Sequence, residues 1–191
     1  MEIKKDLIYQ FDNVIESTIC DRIANFYNDN YINDINDTTR LPWFEGNTYY
    51  WNQLRETEIG DDIKLCRESM LELCKDSYNT QCFPNTTTLV MWKPGKRMAA
   101  HKDNGYDDDK EIFHMREYTG VLYINDDFDG GETFILKENS NDEEICYKPK
   151  KGSLLLFRSD DTCTHGVKTV LDGNRITLSM WFTLDEQYNE N

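Results

Sequence analysis

A chain of 191 residues, 38% of them hydrophobic, is long enough to bury one full core and too short for two ordinary domains. Its formal net charge of -15 argues against a nucleic-acid backbone as the main partner, because gripping phosphates requires a basic surface. A neutral or basic peptide is compatible with that charge, although acidity this general usually reflects solubility.

Residues 7–11 read as a short first strand. Ser17 or Thr18 then caps a helix that runs to about Tyr27, with Ile19, Ile23, Phe26 and Tyr27 as its apolar stripe. Residues 28–41 are rich in Asn and Asp without periodicity and read as loop. Trp43, Phe44, Tyr49, Tyr50 and Trp51 make 43–51 a strand or a substrate-facing loop, with most of these aromatics serving as core and rim. The clearest helix spans about Ile59 to Ser77, where Ile63, Cys66, Met70, Leu73 and Cys74 repeat at helical spacing. From Thr87 the pattern changes to strands, at 87–93, 97–102, 117–125, 132–137, 144–148, 153–158, 164–170 and 175–183. Short strands following two helices point to a mainly β fold, a double-stranded β-helix or cupin-like jelly roll with the helices packed on one sheet. The expected organisation is one domain over 1–191, with a helix-and-strand support region at 1–85 and the jelly-roll core at 86–185.

The opening Met-Glu-Ile-Lys-Lys leads into no apolar segment, so neither a signal peptide nor a membrane span is expected. The six cysteines, at 20, 66, 74, 82, 146 and 163, show no paired metal spacing and read as free thiols of a reduced, cytoplasmic protein. Asn36-Asp37-Thr38 and Asn85-Thr86-Thr87 match the glycosylation triplet and carry no weight in that compartment. Asn125-x-Asp127-x-Asp129-Gly130 begins like a calcium loop but has Leu136 where a bidentate Glu is required, so it reads as a turn.

Chemistry concentrates in two stretches. His101 and Asp103 are two residues apart, and in a strand such residues point to one face. His165, on a distant strand, can supply a third ligand. Two His and one carboxylate with the opposite positions open form the facial triad of non-haem Fe(II) oxygenases. Arg175, ten residues after His165, begins an alternating strand whose one face is Arg175, Thr177, Ser179 and Trp181. A guanidinium beside two hydroxyls is poor core material but suits a small dicarboxylate, which Arg holds through a two-pronged, charge-assisted bond. Were Asp172-Gly173 a plain hairpin turn, Val170 would pair with Arg175, and Arg175 and His165 would face opposite ways. Both face one cavity only if the chain crosses between sheets there or carries a bulge, and a crossing is expected.

His-x-Asp, then a distant His with Arg ten residues on, resembles the Fe(II)/2-oxoglutarate-dependent dioxygenases, specifically their prolyl 4-hydroxylase-like branch. Trp92-x-x-Gly95, Tyr123-Ile124-Asn125, Gly130-Gly131 and Gly152-Ser153-Leu154-Leu155-Leu156-Phe157 match as well, and the resemblance covers about residues 86–183. Asp12-Asn13-Val14-Ile15 and the helix after it are similar to that branch's entry segment. The resemblance implies Fe(II) on His101, Asp103 and His165, and 2-oxoglutarate anchored by Arg175, with Tyr123, Ser179 and Thr177 as hydrogen-bonding helpers. It also implies O2 as co-reactant, ascorbate as supporting reductant, and release of succinate and CO2 as a C–H bond is hydroxylated. Trp92 and Met98 depart from the family, where tyrosines are common, which bears on substrate preference.

His114 falls in the acidic segment from Asn104 to Glu117, expected as a lid or substrate loop, and reads as an exposed lid histidine rather than a fourth ligand. The expected substrate is a prolyl residue of a peptide or protein, with no nucleic-acid or membrane partner. Two alternatives remain at this point. One is the same chemistry on a free amino acid, a small metabolite or another side chain; the other is a metal-binding jelly-roll module without turnover.

Overall fold

The computed structural model describes residues 7–30, 47–105, 113–136 and 144–190. In chain order its elements are β1 (Ile8–Phe11), α1 (Ser17–Asn30), β2 (Asn47–Tyr50), α2 (Trp51–Leu54), α3 (Gly60–Tyr78), β3 (Phe83–Trp92), β4 (Met98–His101) and β5 (Tyr118–Tyr123). There follow β6 (Asp129–Gly130), β7 (Thr133–Leu136), β8 (Glu144–Tyr147), β9 (Leu154–Arg158), β10 (His165–Val167), β11 (Val170–Asp172) and β12 (Arg175–Thr183). Most of the loop expected at 28–41, Asn36-Asp37-Thr38, Trp43, Phe44 and the middle of the expected lid (106–112) lie outside the described residues.

Among the described residues the strands form a major sheet ordered β1-β9-β5-β12-β3-β2, a minor sheet ordered β4-β10-β7-β8, and a β11-β6 pair. This is the expected double-sheet arrangement. β12 lies at the middle of the major sheet, antiparallel to both β3 and β5. Its alternation divides the molecule. Ile176, Leu178, Met180 and Phe182 pack outward with Ile19, Ile23 and Tyr27 of α1 and Ile63, Cys66, Met70 and Cys74 of α3. Burying each large aliphatic side chain there contributes about 1.5–3 kcal/mol before conformational entropy is set against it. The other face of β12 turns toward the minor sheet.

The helices follow from their ends as well as their stripes. α3 has Asp61 and Asp62 in its first turn and Lys75 in its last, complementing the helix dipole. It stops where Asn79 adopts a left-handed conformation, φ 47°, and returns its N–H to the last turn. α1 corrects the expectation at both ends. Glu16, not Ser17 or Thr18, holds the capping position, since its carbonyl accepts from Ile19 N and Cys20 N at 3.0 and 3.2 Å. The helix also continues past Tyr27 to Asn30, whose side-chain amide donates back to Phe26 O at 2.9 Å.

The expected strand at 164–170 is two strands in two sheets. β10 joins the minor sheet, whereas Val170 of β11 pairs with Gly130 of β6 and not with Arg175. The chain therefore crosses between sheets before Arg175, as the facing argument required.

Candidate metal centre

β4 and β10 pair antiparallel with His165 opposite His101. That register brings the two imidazoles side by side, with ring centroids 4.5 Å apart. Gly166 permits it: a Cβ there would stand 2.6 Å from Met98 O and 2.6 Å from the Phe134 ring. Asp103 departs from the expected strand geometry, because β4 ends at His101. A bend carries the chain onward, and Asp103 N and Asn104 N both donate to Ser159 O, at 2.9 and 3.0 Å. The result is still one cluster: donor atoms of His101, Asp103 and His165 lie within 4.8 Å of one another.

The protons can be assigned by partner chemistry. His101 Nδ1 lies 2.9 Å from Ala99 O and His165 Nδ1 lies 3.0 Å from Cys163 O. A carbonyl only accepts, so each Nδ1 carries the proton and each neutral ring keeps a lone pair at Nε2. Those lone pairs face the carboxylate: His101 Nε2 is 3.5 Å from Asp103 Oδ1, and His165 Nε2 is 3.3 Å from Asp103 Oδ2. Three converging acceptors repel one another until a cation lies among them, which is the fit expected of a divalent metal site. Burial opposes ionisation of Asp103 but is outweighed by the positive charge and hydrogen bonds that protonated His165 and His101 would supply, so the direction of its pKa is downward. Burial likewise lowers the His101 pKa, and the hydrogen bond and counter-charge that Asp103 would give the ring once Nε2 is protonated outweigh it, so the net direction is upward. The centre favours positive charge.

The triad opens into a pocket between the sheets, lined also by Trp92, Met98, Val121, Thr133, Arg175, Thr177, Ser179 and Trp181. Arg175 is 2% exposed. Its Nε donates to Gly131 O at 2.8 Å, while one terminal nitrogen reaches Thr177 Oγ1 at 3.3 Å and the other Thr133 Oγ1 at 3.2 Å. Gly131 has φ 66°, and a Cβ on it would press on Arg175 Cδ at 3.0 Å, so glycine suits both the turn and the guanidinium beside it. Tyr123 is paired with Thr177 across β5 and β12, lies under the guanidinium at 5.5 Å, and donates its hydroxyl to Thr133 Oγ1 at 2.8 Å. Among the described residues the partners of Arg175 are all neutral. Burial accordingly lowers its pKa, partly offset by Tyr123. A buried cation without a counter-ion is costly, and an acidic ligand relieves that cost.

Of the sequence-predicted site residues, His101, Asp103, His165, Arg175, Thr177 and Ser179 line one cavity, whereas Tyr123 does not reach its wall and is buried behind Arg175. His114 does not join; it is exposed and stands edge-on to Tyr188. Asn125 lies in the irregular connection between β5 and β6, its Oδ1 accepting from Ile176 N at 2.8 Å, and Asp129–Gly130 of the expected turn are strand. Sequence reasoning missed Thr119, Thr133, Ser159 and Arg116. Arg116 is buried between Phe113 and Trp181, 3.9 and 4.1 Å from their ring centroids, and burial pushes its pKa down to about 10 despite the Asp103 charge. Arg116 Nε and Trp181 Nε1 are buried donors with no acceptor among the described residues. Strand alternation back from Tyr123 was a signal for Thr119; nothing local pointed to Ser159.

The family model described as the 2OG-Fe(II) oxygenase superfamily matches residues 87–183. Prolyl 3-hydroxylase 2 of Mus musculus is 41% identical over 78 residues, covering 41% of this chain and 11% of that protein. Prolyl 3-hydroxylase 1 of Homo sapiens is 35% identical over 78 residues, with the same coverage of 41% and 11%. The chain thus spans about a tenth of the length of these relatives. Among solved structures, a viral collagen prolyl hydroxylase from Paramecium Bursaria Chlorella virus-1, in its 2OG complex, superposes with TM-score 0.69 at 17% identity, covering 94% of this chain and 97% of that one. A Trichoplax adhaerens prolyl hydroxylase in complex with a hypoxia inducible factor peptide fragment gives TM-score 0.72 at 16% identity, covering 96% and 86%.

Proposed function

On the premise that this chain belongs to the 2OG-Fe(II) oxygenase superfamily, in its prolyl hydroxylase-like branch, we propose that it hydroxylates a prolyl residue of a peptide or protein. The observation that carries the reading is the buried Arg175 guanidinium, without a counter-ion among the described residues, in the pocket that holds His101, Asp103 and His165. Family membership brings Fe(II), 2-oxoglutarate and O2 as the reaction's requirements. With these bound, 2-oxoglutarate is converted to succinate and CO2 while one oxygen atom enters a substrate C–H bond.

The chain's own residues supply position and surroundings. His101, Asp103 and His165 hold the metal, with Nε2 of each ring freed for it by the Nδ1 bonds to Ala99 O and Cys163 O. Arg175 would receive the distal carboxylate of 2-oxoglutarate, exchanging its two longer bonds to neutral hydroxyls for bonds to an anion. Thr133, Thr177 and Ser179 complete that end, with Tyr123 supporting Thr133 and Arg175 from behind, while Trp92, Met98 and Val121 exclude water. The Trp181 indole N–H, on the pocket wall and without an acceptor among the described residues, suits a peptide carbonyl. Ascorbate serves as the reductant that keeps iron ferrous. The burial of five of the six cysteines supports a reducing, cytoplasmic setting.

Succinate release tests the reading. Proline-containing peptides are expected to stimulate it, and the same peptides with Ala in place of Pro are not. Stimulation that ignores the replacement would transfer the proposal to another side chain or a small metabolite, and iron uptake with no succinate would leave a binding module. The relatives are named for 3-hydroxylation and one structural neighbour is a Pseudomonas putida prolyl-4-hydroxylase, so amino-acid analysis of the product assigns the ring carbon.

A further inference from the structure

We infer that Thr119, backed by Ser159, is a positioning residue for the metal-binding carboxylate and determines which oxygen of Asp103 is offered to the ion. The inference rests on His101, Asp103 and His165 being a metal triad. Thr119 Oγ1 donates to Asp103 Oδ2 at 2.6 Å and lies 2.8 Å from Ser159 Oγ. Both residues are buried. A hydroxyl has one proton, and a carboxylate only accepts, so the Thr119 proton points at Asp103 and the Ser159 proton points at Thr119. The relay has one direction, from Ser159 through Thr119 to Oδ2.

Asp103 needs such support because it lies beyond the end of β4, where no strand partner fixes it. Ser159 grips its main chain, accepting from Asp103 N at 2.9 Å, and is itself tied by its own N–H to Glu117 O at 3.0 Å. One residue thus holds Asp103 by its backbone directly and by its side chain through Thr119. With a lone pair of Oδ2 committed to the hydroxyl, Oδ1 is the less encumbered donor. A carboxylate constrained to one oxygen leaves open a position that a two-oxygen grip would fill, and this chemistry needs open positions.

The test compares Thr119→Val, which removes the hydroxyl at nearly constant shape, with Thr119→Ser, which keeps it, and with Ser159→Ala. Co(II), added without cosubstrate or substrate, is the probe. Its dissociation constant is measured by competition titration, its coordination by visible absorption, and melting of the metal-free proteins is recorded in parallel. Thr119→Val is expected to weaken Co(II) binding by about 10- to 100-fold, the usual effect of losing a group that orients a ligand. Its Co(II) spectrum should also change. Thr119→Ser should restore both, and Ser159→Ala should weaken binding by less than Thr119→Val. Wild-type affinity and spectrum in Thr119→Val would overturn the inference, whatever its melting temperature. Equal losses in the Ser and Val variants would overturn it too, by pointing to packing. If Thr119→Val fails to fold, Ser159→Ala decides: unchanged Co(II) binding there overturns the relay. Wild-type protein that takes up no Co(II) would instead overturn the triad, and the inference with it.

Discussion

Replacing Arg175 with Met removes the buried charge and keeps most of the side chain's volume. The guanidinium's bond to Gly131 O is short, 2.8 Å, whereas its bonds to Thr177 and Thr133 are 3.3 and 3.2 Å, so the two terminal nitrogens are the ones a carboxylate engages. Hydrogen bonds to charged groups contribute about 1.5–3 kcal/mol each, and neutral ones about 1 kcal/mol. The bonds to the threonines already carry the guanidinium's charge, so what a carboxylate adds is a counter-ion, and taking Arg175 away from a buried carboxylate costs about 3 kcal/mol or more, at least on the order of a hundredfold in affinity. Folding should suffer less, because losing three bonds to neutral oxygens is offset by no longer burying a cation that burial itself disfavours. The assay is calorimetric titration of the Mn(II)-loaded protein without oxygen, using 2-oxoglutarate and then pyruvate, which has the keto acid but no distal carboxylate. Wild type should prefer 2-oxoglutarate strongly, and Arg175→Met should bind both alike. A folded variant that keeps the preference would refute the reasoning and place the anchor elsewhere.

Gly166→Ala would put a Cβ 2.6 Å from both Met98 O and the Phe134 ring; we expect about 1–3 kcal/mol of destabilisation and at least about a tenfold loss of Co(II) affinity as β10 shifts His165. Thermal melting and metal titration measure the two effects, and unchanged values for both would contradict the strand packing. Leu178→Ala, in the core beneath the helices, should cost about 2–5 kcal/mol, lowering the melting temperature by roughly 5–15 °C. In native protein at pH 8, Ellman's reagent should find the exposed Cys146 alone, and all six thiols after denaturation. Burial pushes the Cys66 thiol up to about 12, which leaves still less thiolate at that pH, so a fast second native thiol would contradict the core as described.

The parts of this fold that could be read in the sequence are those whose periodicity is local. β12 is the clearest case. Its alternation separates a helix-facing apolar side from a pocket side, and Arg175, Thr177, Ser179 and Trp181 are all found on the latter. The same pattern required a crossing before Arg175, and Val170 is paired in a different sheet from β12. What escaped depends on contacts between segments remote in sequence. Thr119 meets Asp103 and Ser159 only once β5 and β9 are adjacent, and Asp103 is placed by a bond to Ser159 rather than by strand geometry. Thr133 likewise becomes part of the Arg175 site only when β7 faces β5 across the pocket. At the helix ends, Ser17 and Thr18 drew the cap by residue type, yet the Glu16 carbonyl takes the first bonds. Residue preference is a weak guide to which of three adjacent positions begins a helix.

Isotopically labelled dioxygen distinguishes prolyl hydroxylation from every alternative reading of this pocket. The protein would be supplied with Fe(II), 2-oxoglutarate, ascorbate and a proline-containing peptide that stimulates succinate release, and both products analysed by mass spectrometry with fragmentation. One labelled atom in succinate and one on the prolyl ring is the predicted result. Label in succinate with none on proline would contradict the proposed substrate, and label in neither product, with iron bound, would contradict oxygenase chemistry at this site.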